Sequence, residues 1–189
     1  VFDVLGRFRL YFGKKLNMID ESKHDLLWVV DFPLFEYSFE DQKYKSMHHP
    51  FTMPAKEDID KLETDKGNVK SVAYDIVYNG NELGGGSIRI HDAEIQRKVF
   101  QALGLTEEDI HNKFEFLVNA FKYGTPPHGG LAIGLDRLVA LLLRAQSIRE
   151  VIAFPKNSAA KDLMTDAPSL ASEEQLRELH LKLRNVPKV

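Results

Sequence analysis

The stretch Ala73-Tyr74-Asp75-Ile76-Val77-Tyr78-Asn79-Gly80-Asn81-Glu82-Leu83-Gly84-Gly85-Gly86-Ser87-Ile88-Arg89 decides the fold. Residues suited to a strand run up to Asn79-Gly80, the pair a type I′ turn prefers because both central positions take positive φ. A second extended run follows, so the segment predicts an antiparallel hairpin. Its two-residue turn pairs Val77 with Glu82 and Asp75 with Gly84. Residues two apart on a strand share a face, which sets Asp75 and Glu82 diagonally on one side. Two carboxylates so placed repel unless a cation lies between them or one is protonated. Mg²⁺ with a polyphosphate meets that need, taking a few carboxylates and completing its octahedron with phosphate and water. Two solvated acids on an exposed sheet face satisfy the same pattern.

Gly84-Gly85-Gly86 adds a second signal. Three glycines in a strand are costly, so they point to a bulge or to a ligand pressed on the backbone. In a regular strand Arg89 would have the opposite parity to Glu82. A bulge within the glycines brings Arg89 back beside Glu82 and Asp75. A guanidinium held there can grip a carboxylate through two parallel hydrogen bonds, which Lys cannot copy. It can equally serve to neutralise Glu82.

Outward from the hairpin, the elements alternate in kind. Leu26-Leu27-Trp28-Val29-Val30-Asp31-Phe32, stopped by Pro33, predicts a buried strand. Residues 53–71 are polar and predict a mobile loop, with Pro54 opening a short helix around Ile59 and Leu62. A helix is expected over about 92–103, ending at Gly104. Another begins at the capping-box pattern Thr106…Asp109 and carries Ile110, Phe114, Leu117, Val118 and Phe121 on one stripe. Gly124 ends it and Pro126-Pro127 blocks its continuation. Leu131-Ala132-Ile133 predicts a buried strand, and Gly134 turns the chain into a helix with Leu135, Leu138, Val139 and Leu142 inward. Val151-Ile152-Ala153-Phe154 predicts a last strand. Ser172…Gln175 caps a closing helix with Leu176, Leu179 and Leu183. Hairpins mixed with helices make this an α+β chain, a mostly antiparallel sheet flanked by helices.

Composition narrows the function. The 189 residues are 43% hydrophobic and 28% charged, ordinary for a globular protein. A net charge of -3 gives no general basic field, so any nucleic-acid contact is local or lies elsewhere. With no cysteine there are no disulfides or thiolate metal sites, which suits a cytoplasmic protein. The start, Val1-Phe2-Asp3, has neither an initiator Met nor a signal pattern, and reads as a cut inside a longer protein. Residues 1–24 hold Phe8, Leu10, Phe12 and Leu16 in a weakly periodic, mixed stretch that contains Lys and Arg, read as the end of a helix and its exit.

Two further constellations could carry chemistry. Gly134-Leu135-Asp136-Arg137 is a glycine turn into a helix, whose free N–H groups and Arg137 suit polyphosphate. No Gly-Lys-Ser/Thr follows, so it is not a Walker loop. In Met47-His48-His49-Pro50-Phe51, adjacent histidines on an extended segment point oppositely. One could face a ligand while the other packs or meets solvent. None of these, nor His91 or His128, has zinc-enzyme spacing.

Taken together, these strings resemble the last third of bacterial aspartyl-tRNA synthetases. They include Trp28 to Glu36, Met47 to Thr52, Ala73-Tyr74-Asp75 leading to Gly84 through His91, Tyr123 to Gly130 running into Gly134-Leu135-Asp136-Arg137, and Ile148 to Lys156. The match covers roughly residues 26–170 in order. The segment from Gly134 to Arg137 looks like motif 3 of the class II synthetases, which implies a class II aminoacyl-tRNA synthetase-like fold. Residues 1–24 look like the end of the inserted domain and its linker, with 25–189 the C-terminal part of the catalytic domain.

The resemblance implies that aspartate is activated with ATP and Mg²⁺ and passed to tRNA(Asp). It implies that Arg89 grips the side-chain carboxylate, with His48 also on the amino acid. Glu82, with Asp75 in support, would hold ATP and Mg²⁺, and Gly134, Leu135, Asp136 and Arg137 would bind ATP. Arg89, Glu82 and Arg137 would be the catalytic set, working by alignment and charge neutralisation. No apolar run approaches the ~20 residues of a membrane span, and the resemblance further implies a homodimer. Motif 1, motif 2 and the anticodon-binding barrel of that family are absent from this chain, so the piece alone is expected to be inactive. At Phe114-Glu115-Phe116 a Glu stands where the family pattern has Gly. The same residues would also fit an asparagine-forming ligase on this scaffold, or a synthetase-like protein that only binds.

Overall fold

The computed structural model describes residues 2–20 and 22–184; Val1, where the chain reads as cut, lies outside the described residues. The hairpin turn forms as read, with Asn79 at φ 47° and Gly80 at φ 78°. Its strands, β4 (Ala73–Tyr78) and β5 (Asn81–Ile88), are the middle of a four-stranded sheet. β1 (Leu26–Val29) lies beyond β4, and β6 (Gly129–Ile133) lies beyond β5. Every pairing is antiparallel. Ahead of the sheet's centre come α1 (Phe2–Lys15), the small hairpin of β2 (Phe35–Ser38) and β3 (Lys43–Ser46), and the one-turn helix α2 (Lys61–Thr64). After β5 come α3 (Ala93–Ala102) and α4 (Glu107–Phe121). The chain divides into two compact units, one running to Gly134 and one from Leu135 that holds α5 (Leu135–Leu142) and α6 (Glu173–Glu178).

In the core of the first unit Leu34, Phe35, Leu62, Val69, Ile90, Val99 and Ala102 pack together, all outside the strands of the four-stranded sheet. Leu62 and Val69 belong to residues 53–71, expected from their polarity to be a mobile loop. Instead this segment is tied down. Asp58 is buried, accepts from Lys61 Nζ at 2.6 Å and from the Lys70 amide at 3.0 Å, and so closes the segment on itself. A few apolar anchors outweigh average polarity, each contributing about 1.5–3 kcal/mol on full burial.

α3 begins at Asp92, whose carboxylate accepts the Glu94 and Ile95 amides, and its exit passes through Gly104 at φ 75°. α4 starts at Thr106 with the reciprocal capping box to Asp109. Its Phe114 stacks on Phe100 at 5.1 Å between ring centroids. Lys113 chiefly, and Thr106 after it, hold the Asp109 carboxyl at about 2 against an ordinary 3.8. A depressed carboxyl binds fewer protons folded than unfolded. Its contribution is therefore complete above the ordinary value and lost as pH falls toward about 2. Thr106→Ala is expected to cost about 1 kcal/mol, read as a lower urea midpoint with unchanged slope at neutral pH.

Several sequence expectations are corrected. β1 and β6 were expected to be buried, yet they are the sheet's two edges. Leu26, Leu27, Trp28, Leu131 and Ile133 are all at least 43% exposed. In α5 the inward set holds for Leu138 and Val139, but Leu135 and Leu142 are exposed and Ala140 is the buried residue. Val151 to Phe154 form no strand. A capping box between Ser147 and Glu150 winds the chain into a 3₁₀ turn, Val151 and Ile152 donate back to the Ile148 carbonyl, and Phe154 takes φ 54°. α6 ends before Leu179 because His180 turns left-handed at φ 53°, leaving Leu179 and Leu183 exposed.

Candidate functional site on the central hairpin

The register of β4 on β5 positions the site. Val77 pairs with Glu82, as the turn dictates, but Ile76 then pairs with Gly84 and Asp75 with Gly85. The expected Asp75–Gly84 pair is replaced. Leu83 is the extra residue of a bulge, one position ahead of the glycines whose sequence predicts it. Its side chain is buried, and its carbonyl accepts the Gly134 amide at 2.8 Å where the chain leaves β6. The bulge resets parity. By alternation Glu82, Gly85, Ser87 and Arg89 share a face with Ala73, Asp75 and Val77.

Glycine is required where neighbours come close. A Cβ on Gly85 would run into the Asp75 carboxylate, so the acid lies over Gly85 on the shared face. On the other face, Cβ atoms at Gly84 and Gly86 would strike the Ala132 and Gly130 carbonyls of β6. The glycines thus admit one carboxylate and a neighbouring backbone, where the sequence had suggested a bulge or a ligand. Asp75 and Arg89 are half-buried and Glu82 is exposed. Ser87 is 3% exposed, and its buried Oγ has no hydrogen-bond partner among the described residues.

Arg89 is held on both sides. Its amide donates to the His128 carbonyl at 2.9 Å, and Thr52 forms a bridge to it. The Met53 amide donates to the Ile88 carbonyl and the Ile90 amide to the Phe51 carbonyl, each at 2.9 Å. Residues 51–53 therefore run along 88–90, which delivers His49 to the guanidinium. Arg89 Nη1 lies 3.0 Å from His49 Nδ1. Burial first, then Arg89 and His48, push the His49 pKa below its ordinary 6.5. His48, the histidine that the resemblance placed on the amino acid, is exposed and packs edge-on to Phe32 at 5.2 Å. The sequence left open which of the two faces inward; only the pairing of 51–53 with 88–90 decides it.

The remaining named residues fall around the unit boundary. Gly134 closes the first unit through its bond to Leu83. Leu135, Asp136 and Arg137 open α5 in the second unit, all exposed. Among the described residues no cluster of three or more His, Cys, Asp or Glu could hold a metal by itself. Glu115, the departure noted above, sits on α4 within 3.1 Å of His111. No described helix is long and apolar enough to cross a membrane.

The chain is 56% identical over 189 residues to the aspartate–tRNA(Asp/Asn) ligase of Anoxybacillus flavithermus, covering 100% of this chain and 32% of the relative. It is 55% identical over 181 residues to the aspartate–tRNA ligase of Staphylococcus epidermidis, covering 96% of this chain and 31% of that one. It thus spans about a third of the length of the curated relatives it matches. Among solved structures it is similar to the aspartyl tRNA synthetase from Entamoeba histolytica. That match has TM-score 0.53 and 25% identity, over 82% of this chain and 26% of that one. The family described as tRNA synthetases class II (D, K and N) matches residues 9–158, and the chain belongs to it.

Proposed function

We propose that this chain supplies the amino-acid grip and part of the ATP site of an aspartate–tRNA ligase. In the first step, the α-carboxylate of aspartate attacks the α-phosphorus of ATP and pyrophosphate leaves. The terminal ribose hydroxyl of tRNA(Asp) then takes the aspartyl group and AMP is released. The observation that carries the reading is the bulge at Leu83, which puts Arg89 on the face of Asp75 and Glu82. A cation for the substrate's carboxylate and acids for its phosphate-bound metal then share one face of the sheet.

In this reading Arg89 holds the side-chain carboxylate of aspartate, and His48 approaches the amino acid from the segment before Pro50. Asp75 and Glu82 fit Mg²⁺, which needs only one or two carboxylates when phosphate and water complete its shell. When bound, Mg²⁺ would neutralise phosphate charge. Gly134, Leu135, Asp136 and Arg137 would bind ATP, with Arg137 against adenine or the terminal phosphate. These groups align reactants and balance charge, with no acid or base required. We read residues 1–24 as the end of an inserted domain and 25–189 as the C-terminal part of the catalytic domain. The whole enzyme would be a cytoplasmic homodimer.

The test is aspartate-dependent exchange of pyrophosphate into ATP. The chain alone is expected to show none. A chimera in which it replaces the matching third of the Anoxybacillus flavithermus ligase is expected to exchange with aspartate. Robust exchange by the chain alone would defeat the division of the site, and an inactive but folded chimera would defeat the assignment.

A further inference from the structure

We infer that His49 is a positioning residue for Arg89, and that its neutral ring fixes the guanidinium without consuming its charge. The inference rests on the proposed role of Arg89 as the grip on the substrate carboxylate. Two donors converge on His49 Nδ1. The Phe51 amide lies 3.2 Å away and Arg89 Nη1 lies 3.0 Å away. A backbone amide and a guanidinium can only donate, so Nδ1 must present a lone pair and the ring proton must sit on Nε2. The Thr52 hydroxyl, 3.4 Å from the same nitrogen, completes the cluster.

The support behind His49 is rigid. Thr52 is 1% exposed. Buried Gln96 donates through Nε2 to the Pro50 carbonyl at 2.8 Å, and Phe51 packs against Phe100 and Phe114. The segment carrying His49 is thus anchored on α3 and α4 while its imidazole reaches Arg89.

The chemical choice matters. A carboxylate would hold Arg89 as firmly, but it would neutralise the cation and compete with an acidic substrate. A neutral imidazole accepts one N–H and leaves the full charge and the other N–H groups of the guanidinium available. Among the described residues the side-chain partner of Arg89 is this ring and not an acid. A guanidinium already aimed loses less conformational freedom when the substrate arrives.

The test uses the chimera and four variants. His49→Phe keeps a ring without an acceptor, and His49→Ala, made in parallel, removes the acceptor without adding bulk. Asn at this position offers Oδ1 near the place of Nδ1. Phe and Ala are expected to raise KM for aspartate about ten- to a hundredfold, the worth of one hydrogen bond to a charged group. KM for ATP should stay within about twofold, and His49→Asn should recover aspartate KM to within about threefold of the parent. Unchanged aspartate KM in Phe and Ala would overturn the inference, as would equal losses in Asn and Ala. Arg89→Leu separates the two levels. If it raises aspartate KM while the His49 variants do not, the positioning role alone fails; if it does not, the grip itself is misassigned.

Discussion

Arg89→Leu in the chimera is expected to lower kcat/KM for aspartate by about 10²- to 10⁴-fold, with little change in KM for ATP. The magnitude follows from two charge-assisted hydrogen bonds to the substrate carboxylate, each worth about 1.5–3 kcal/mol when its partner is removed. Leu preserves the aliphatic stem, so loss of packing contributes little. The substitution should also erase discrimination. On the role proposed for Arg89, asparagine in place of aspartate would leave a half-buried guanidinium facing an amide with no counter-charge, a mismatch an enzyme can use against the wrong substrate. Without the guanidinium that difference disappears, and the ratio of kcat/KM values for aspartate and asparagine should collapse toward one. Arg89→Lys should restore only part of the loss, since an ammonium restores charge but not the planar fork. Steady-state pyrophosphate exchange with each amino acid measures all of this.

Gly84→Val is expected to destabilise the chain by about 3 kcal/mol or more, at the upper end of what overpacking costs. Its Cβ would collide with the Ala132 carbonyl, and the Ile133 Cα would stand 2.8 Å away. Both are backbone atoms of β6, which cannot rotate aside as a flexible side chain would. The same β6 residues pair with β5 through Gly84 and Gly85, so relief requires breaking the ladder that ends at the Leu83–Gly134 bond. Gly130→Ala serves as the contrast. A Cβ there meets nothing within 4 Å, and the change should stay within about 0.5 kcal/mol. Urea titrations of the two variants beside the parent give the comparison. Equal destabilisation would mean that glycine is needed in this sheet for conformational reasons, not for close approach.

The elements themselves were legible where local chemistry dominates. Asn79-Gly80 announced its turn, Thr106…Asp109 and Ser172…Gln175 announced their caps, and Gly104 and Gly124 marked helix exits by the positive φ they adopt. Burial was less legible. Leu26 to Val29, Leu131 and Ile133 read as buried because apolar runs usually are, yet they form exposed edges. An apolar run reports the tendency of its residues to be covered, not which element covers them, and β1 and β6 each have a strand neighbour on one side only. Val151 to Phe154 failed for another reason. Their β-branched composition favours a strand, but the Ser147–Glu150 capping box winds the chain into a turn before them.

The candidate site was half legible. Parity alone showed that Arg89 needs one extra residue to join Glu82, and the glycines were the natural place to put it. The bulge instead falls on Leu83, because Gly84 and Gly86 are committed to close approach by β6 and Gly85 to the Asp75 carboxylate. No local pattern carries that information; it depends on a strand more than forty residues downstream. The choice of His49 over His48 as the neighbour of Arg89 is likewise set by the non-local pairing of 51–53 with 88–90.

A crystal structure of the chimera with a non-hydrolysable aspartyl-adenylate analogue is the direct test of the central claim. The account predicts two parallel N–H···O contacts from the Arg89 guanidinium to the side-chain carboxylate of the analogue, with His49 Nδ1 still behind Arg89. An analogue whose side chain meets some other cation, with Arg89 turned to the phosphate or to solvent, would contradict it.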